Sequence, residues 1–179
     1  MTLLLAPAAL NRIRVQESNS WRVEVLCKPN LLDARGAALR AQLPWLGVQG
    51  VTDVRVDQLY RLSGRLTQHQ AVSIAQQLLA DPITQEYRVN GHPSNAVPSQ
   101  TPCCRIEAWL KTGVTDRVGE SVRRAILDMG LPIPEEVRCA TVYRFFGRFV
   151  QAQAERVAAK MLGNPLIHRF EISLGRNAP

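Results

Sequence analysis

The sequence predicts an α+β fold: two tandem β-α-β-α-β modules, each a small, mostly antiparallel sheet with helices on one face, packed together as a pseudo-dimer. Three observations carry this. Short runs alternate apolar and polar residues with the period of a strand. Other runs repeat apolar residues with the period of a helix. The whole pattern then occurs twice without a gap: 19 of the 70 residues from Trp21 to Asn90 recur identically 83 positions later.

The register of the repeat is read from its invariant points. Lys28 falls on Lys111, Asp33 on Asp116, Gly36 on Gly119, Gly47 on Gly130, Arg55 on Arg138, Tyr60 on Tyr143, Gly64-Arg65 on Gly147-Arg148 and Pro82 on Pro165. Between the copies, "GHPSNAVPSQTP" holds three prolines and small polar residues, the composition of a linker rather than an element. The division is therefore an N-terminal arm over 1–20, a first module over 21–90, a linker over 91–102 and a second module over 103–175. A module of this size has little core of its own, so the two are expected to pack on one another.

Within a module, "RVEVLC" puts Val23, Val25 and Cys27 on one face, and its copy "RIEAWL" does the same with Ile106, Ala108 and Leu110. Asp33 and Asp116 follow where a helix N-cap belongs, because a carboxylate accepts from free backbone N–H groups there. Leu39, Leu43 and Leu46, and Val118, Val122 and Ile126, then keep helical spacing, with Gly47 and Gly130 as the stops. Pro44 is expected to loosen the last turn of the first helix.

Next come "VTDVRVDQLYRLSGRL" and "EEVRCATVYRFFGRF", long for single strands, so a bend near Asp57-Gln58 or a hairpin is expected. The second helices show stripes of Ala71, Ala75, Leu78 and Leu79, and of Ala154, Val157, Ala158, Met161 and Leu162. Pro82 and Pro165 cannot continue them. Each releases the chain into a last strand, alternating Ile83, Gln85, Tyr87 and Val89, or Leu166, His168, Phe170 and Ile172. Unpaired edges on small sheets invite pairing, so one sheet running across both copies is expected.

Composition bounds the function. Apolar residues at 46% and charged residues at 21% describe a folded, soluble chain. The formal charge of +7 fits an acidic partner, a phosphorylated ligand or nucleic acid equally well. Aromatics at 6%, with no stacking platform, make nucleic acid the least supported of these. Cys27, Cys103, Cys104 and Cys139 lack C-x-x-C spacing and the three histidines do not cluster, so neither zinc nor a disulfide framework is expected. Pro7 breaks the N-terminal apolar run, and no run is long enough to span a membrane. A reducing, cytoplasmic location follows as an expectation.

No phosphate loop, dinucleotide fingerprint or nucleophile elbow is present. No nucleophile, base and orienting acid share a frame, so no catalytic residue, metal or cofactor is assigned. Cys27 and Cys139 sit on strand faces as small core residues. His69 and His168 have no histidine counterpart in the other copy and are read as surface residues. The recurring arginines stand out. Arg55, Arg61, Arg65, Arg138, Arg144 and Arg148 are the candidates for contacting a partner or ligand, since a guanidinium fork suits carboxylate and phosphate. Asp33, Gly36, Gly47, Pro82, Asp116, Gly119, Gly130 and Pro165 form the structural motif.

The ordered set "VEVLCKPNLLDARGAALRAQL…LG…VTDVRV…LLADPITQEYRV" resembles the PurS family, a small component of phosphoribosylformylglycinamidine synthase in purine biosynthesis. The second copy matches through Lys111, Asp116, Gly119, Gly130, Val137-Arg138 and "LGNPLIHRFEI". PurS usually carries Gly-Lys shortly after the Val-Arg pair; Asp57-Gln58 and Ala140-Thr141 stand there instead. In that respect the chain is similar to the tandem PurS-like regions that precede the large synthetase subunit in some bacterial chains. The resemblance implies a non-catalytic scaffold that joins the ATP-using synthetase PurL to the glutaminase PurQ and supports ammonia transfer. It leaves a homo-oligomer open. The residues themselves also allow a regulatory module that holds a small effector between the two copies, and, less well supported, a nucleic-acid binder.

Overall fold

The computed structural model describes residues 19–90, 92–93 and 104–175. Most of the expected N-terminal arm lies outside the described residues. Its last two, Asn19 and Ser20, already belong to the first strand. In chain order the elements are β1 (Asn19–Cys27), α1 (Ala34–Gln42), a 3-10 turn (Leu43–Leu46), β2 (Val51–Gly64), α2 (Gln68–Ile74), β3 (Gln85–Val89) and β4 (His92–Pro93). The second copy gives β5 (Cys104–Leu110), α3 (Arg117–Asp128), β6 (Glu136–Gly147), α4 (Gln151–Val157) and β7 (His168–Leu174).

All seven strands join one antiparallel sheet in the order β4-β3-β1-β2-β6-β5-β7. The copies meet at its centre, where β2 and β6 pair almost end to end, from Val51 opposite Gly147 to Ser63 opposite Glu136. Gln58 lies opposite its own counterpart Thr141, so a pseudo-twofold axis passes between them. The bend or hairpin expected near Asp57-Gln58 is absent: β2 runs unbroken over 14 residues. It is held on one edge by β1 and on the other by β6, and a strand paired on both sides has no reason to turn.

Asp33 and Asp116 show how the helices are tied down. Each accepts from the N–H three residues on, Gly36 at 2.9 Å and Gly119 at 2.8 Å. The second oxygen of each accepts from the adjacent central strand, Val56 N–H for Asp33 and Cys139 N–H for Asp116, both at 2.6 Å. One carboxylate thus caps a helix and pins it to the sheet. The helix lies so close that a Cβ on Gly36 would sit 1.9 Å from the Val54 carbonyl oxygen, and one on Gly119 2.3 Å from that of Val137. Gly47 and Gly130 both stand at φ +67, the left-handed conformation that ends a helix. Pro44 is the second residue of the 3-10 turn, Leu43–Leu46, that follows the first helix.

All four helices cover the same face of the sheet, and neither copy owns a core. One apolar cluster joins Leu43, Val48 and Val54 of the first copy to Phe145, Phe149, Ala154 and Val157 of the second. The other joins Val23, Leu62, Ala71 and Ile74 to Ile126, Val137 and Cys139. The first helix of each copy therefore packs beside the second helix of the other, and burial of these side chains requires both halves. Val118 departs from the expected stripe: it is 52% exposed, one turn before Val122 reaches the sheet.

Three further details refine the expected elements. The second helices widen into π-helical turns at Ala75–Leu79 and Ala158–Leu162 before they stop. Ile83 and Leu166 belong to turns, not strands, and are 78% and 82% exposed. Asp81 and Asn164 side chains accept the Ile83 and Leu166 N–H groups at 2.9 Å. The Lys28 ammonium donates to the Pro82 and Ile83 carbonyls at 2.6 and 2.9 Å, and that of Lys111 to Pro165 at 2.6 Å, so these turns are fastened before the strand begins. Third, the linker is not wholly without structure, because His92 and Pro93 form β4 on the edge of β3. Asn90, at φ +50 and followed by Gly91, supplies the turn that a two-residue hairpin needs.

Candidate functional site

The face of the sheet opposite the helices carries the charge. Its central side chains are nonetheless buried: Leu26, Leu59 and Trp109 are 1% exposed and Val142 is 0%. Leu59, Trp109, Ala140 and Val142 form a small apolar cluster of their own. Among the described residues no helix covers this face, so the sheet must curl toward it.

Ion pairs mark the curl. Arg22 on β1 reaches Glu107 on β5, at 2.6 and 2.8 Å to its two oxygens, although β2 and β6 lie between those strands. Arg105 on β5 reaches Glu24 on β1 at 2.7 Å. On a flat sheet the strands would be about 14 Å apart, three steps of roughly 4.8 Å. Arg22 and Arg105, and Glu24 and Glu107, are counterparts, so the two bridges are one contact seen from both sides of the axis.

Glu107 is the richest acceptor here, with Arg105 Nε at 3.1 Å and Trp109 Nε1 at 3.0 Å in addition to Arg22. Burial alone would raise its pKa; hydrogen bonding and charge from Arg22, then Arg105 and Trp109, outweigh it and hold the carboxyl below the usual range. Burial would lower the Arg105 pKa, but Glu24 and Glu107 raise it.

Nearer the axis the copies differ. Arg144 makes a buried two-point pair with Asp57, one bond from Nε to Oδ2 and the other from Nη2 to Oδ1 at 3.1 Å. Burial pushes the Asp57 carboxyl up despite that partner. The counterpart of Asp57 is Ala140, which offers Arg61 no carboxylate. Arg61 instead lies 4.5 Å over the ring of Trp109, whose own counterpart is Leu26.

The six candidate arginines therefore separate. Arg61 and Arg144 belong to this face. Arg55 and Arg138 brace their own copy, donating at 2.9 Å to the Leu31 carbonyl and to that of Leu110 at the end of β5. Arg65 and Arg148 are exposed in the loops that follow β2 and β6. Glu24, Glu107 and Trp109 were given no contact role by the sequence, and Asp57 was marked only as a bend and a departure from the family's Gly-Lys. A signal for two of them was present: Glu24 and Glu107 recur in register, two residues beyond Arg22 and Arg105 on the same strand face.

The arrangement holds charge. Its carboxylates are saturated by arginines of the same chain. Burial, with the Asp116 carboxylate nearby, pushes the Cys139 thiol up to about 12, so it is no nucleophile. Among the described residues no group of three or more His, Cys, Asp or Glu side chains could hold a metal. Among the described residues no helix is long and apolar enough to cross a membrane.

A more open apolar groove of about 410 Å³ lies between the copies on the helical face, lined by Tyr60, Leu78, Leu79, Val118 and Val122.

Comparison with known proteins agrees with the duplicated geometry. No curated protein matches the chain. The family model described as PurS, phosphoribosylformylglycinamidine (FGAM) synthase, matches it twice, over residues 20–92 and 103–176. The two matches span most of the chain and fall on the two halves of the pseudo-twofold sheet; the chain belongs to the PurS family and carries its module in tandem.

Proposed function

We propose that this chain is a non-catalytic scaffold of phosphoribosylformylglycinamidine synthase, joining the synthetase PurL to the glutaminase PurQ in the cytoplasm so that ammonia passes between them. The double family match supports this reading most directly. The geometry is consistent with it, because the charged face spends its carboxylates and arginines on holding the two copies together rather than on a substrate. Contacts to the large subunits then fall to exposed features repeated at both ends of the pseudo-dimer: Arg65 and Arg148, whose guanidinium groups suit carboxylates of a partner.

Purified synthetase and glutaminase, assayed with and without this protein, test the reading. Glutamine-dependent synthesis should require the protein, while synthesis from added ammonia should not. The double charge reversal R65E/R148E should weaken co-elution with the large subunits and leave the fold intact by circular dichroism. If the large subunits, with glutamine and nucleotide present, neither bind the protein nor respond to it, the scaffold is wrong. The groove between the copies favours a second reading, regulation by a small effector. Titration calorimetry with amino acids and nucleotides checks it, and absence of heat counts against it.

A further inference from the structure

The two outer edges of the sheet are finished differently. On the first copy the chain turns back after Asn90, and β4 pairs with β3 through Val89 opposite His92. In the second copy Ser173 stands at the position of Asn90, and β7 runs straight to Leu174. Among the described residues no strand pairs with its outer edge. Its seven residues include no proline, glycine or lysine to block pairing along the edge.

The backbone polarity of that edge is fixed. Lys111 N–H donates to the Ile167 carbonyl at 2.8 Å, so odd-numbered residues of β7 turn their backbone groups toward β5. Those of Phe170 and Ile172 therefore point outward. His168 also points outward, but its N–H is already given to the Asn164 carbonyl at 2.8 Å. Arg169 and Glu171 lie on the helix-free side, about half exposed, and bridge each other at 3.2 Å.

We propose that β7 is a self-association edge: two copies of this chain pair β7 with β7, antiparallel, about a twofold axis at Phe170. Outward-pointing residues must face outward-pointing residues, which restricts the registers. With Phe170 opposite itself, Arg169 of each copy meets Glu171 of the second copy, twice. Moving one residue pair along sets Phe170 opposite Ile172 and Glu171 against Glu171. Moving again sets Glu171 against Ser173 and removes the ion pair. The charge order Arg-Phe-Glu thus complements itself in one register, as a twofold strand pair requires. The product is a single sheet of two chains, ended on each side by β4 with its proline.

Light scattering and sedimentation of the full chain, alone and over a range of concentrations, test this independently of any synthase partner. A mass of two chains is expected. R169E places like charges opposite each other twice and should weaken dimerisation about tenfold or more. E171R should do the same, and the double swap R169E/E171R should restore the wild-type constant to within about threefold. Phe170→Cys should give a disulfide-linked dimer on mild oxidation, because hydrogen-bonded cross-strand partners have Cα atoms about 5.5 Å apart. A single-chain mass at every concentration overturns the proposal. So does a dimer that ignores R169E and is not trapped through position 170.

Discussion

Arg61 and Arg144 occupy equivalent places on either side of the pseudo-twofold axis and meet different chemistry. Arg144 is neutralised by Asp57 in a buried pair, whereas Arg61 rests on the face of Trp109. Arg144 is buried and has a carboxylate partner, whereas Arg61 is only partly buried and is served by an aromatic face. Where the second copy has Ala140 in place of an aspartate, it also has an indole in place of Leu26. The outer bridges, Arg22–Glu107 and Arg105–Glu24, stay symmetric. On this face the inner pair has changed residue type, while the arginine–glutamate bridges that curl the sheet are kept twice.

The comparison is broken most severely at Asp57. Asp57→Ala leaves Arg144 buried with no counter-charge and should cost about 3–5 kcal/mol in denaturant unfolding. The double variant Asp57→Ala with Arg144→Leu should recover most of that, since the pair itself adds little net stability. Equal losses in the two variants would show that Asp57 acts by packing. Shared features should instead respond alike in both copies. Gly36→Ala and Gly119→Ala each drive a Cβ into a strand carbonyl and should each cost about 3 kcal/mol, read from the same unfolding curves. A large difference between them would mean that one helix can lift off its strand.

Trp109→Leu gives the second copy the residue of the first. It removes the platform under Arg61 and an N–H to Glu107, and should cost about 2 kcal/mol. The smallest effect is on pH dependence, where the two acids pull in opposite directions. The folded-state pKa of Glu107 is depressed, so its contribution is present above the ordinary value near 4.5 and is lost as pH falls through the folded value. That of Asp57 is raised, so the fold binds this proton more tightly and gains from it as pH falls. Glu107→Gln should flatten the acid limb of stability against pH, and Asp57→Asn should steepen it; chemical denaturation from pH 7 to 3 reads both.

Much of this architecture was legible because repetition doubles every local signal. Asp33 with Asp116, Gly47 with Gly130 and Pro82 with Pro165 mark helix starts and stops in one register, and the two long strands follow from the same alignment. The closure of the charged face was not legible in that way. Arg22 and Glu107 are 85 residues apart and three strands apart, so no local period joins them. Of the six arginines that looked available to a partner, four, Arg55, Arg61, Arg138 and Arg144, are engaged within the chain itself. The turn at Ile83 was missed because an alternating pattern outlasts the strand: Asp81 and Lys28 hold the backbone there by side-chain bonds that periodicity does not register.

The pairing of β2 with β6 also bears on how the chain comes to be folded. During synthesis the first half emerges with its longest strand finished along one edge and bare along the other, since every residue that completes β2 belongs to β6. Both apolar clusters are likewise half-built at that moment. Closing the sheet waits for contacts distant in sequence, which makes the search slow and leaves a long sticky edge exposed meanwhile. The nascent first half is therefore the stage at which a chaperone, or a wrongly chosen strand from a neighbouring chain, has the most to act on.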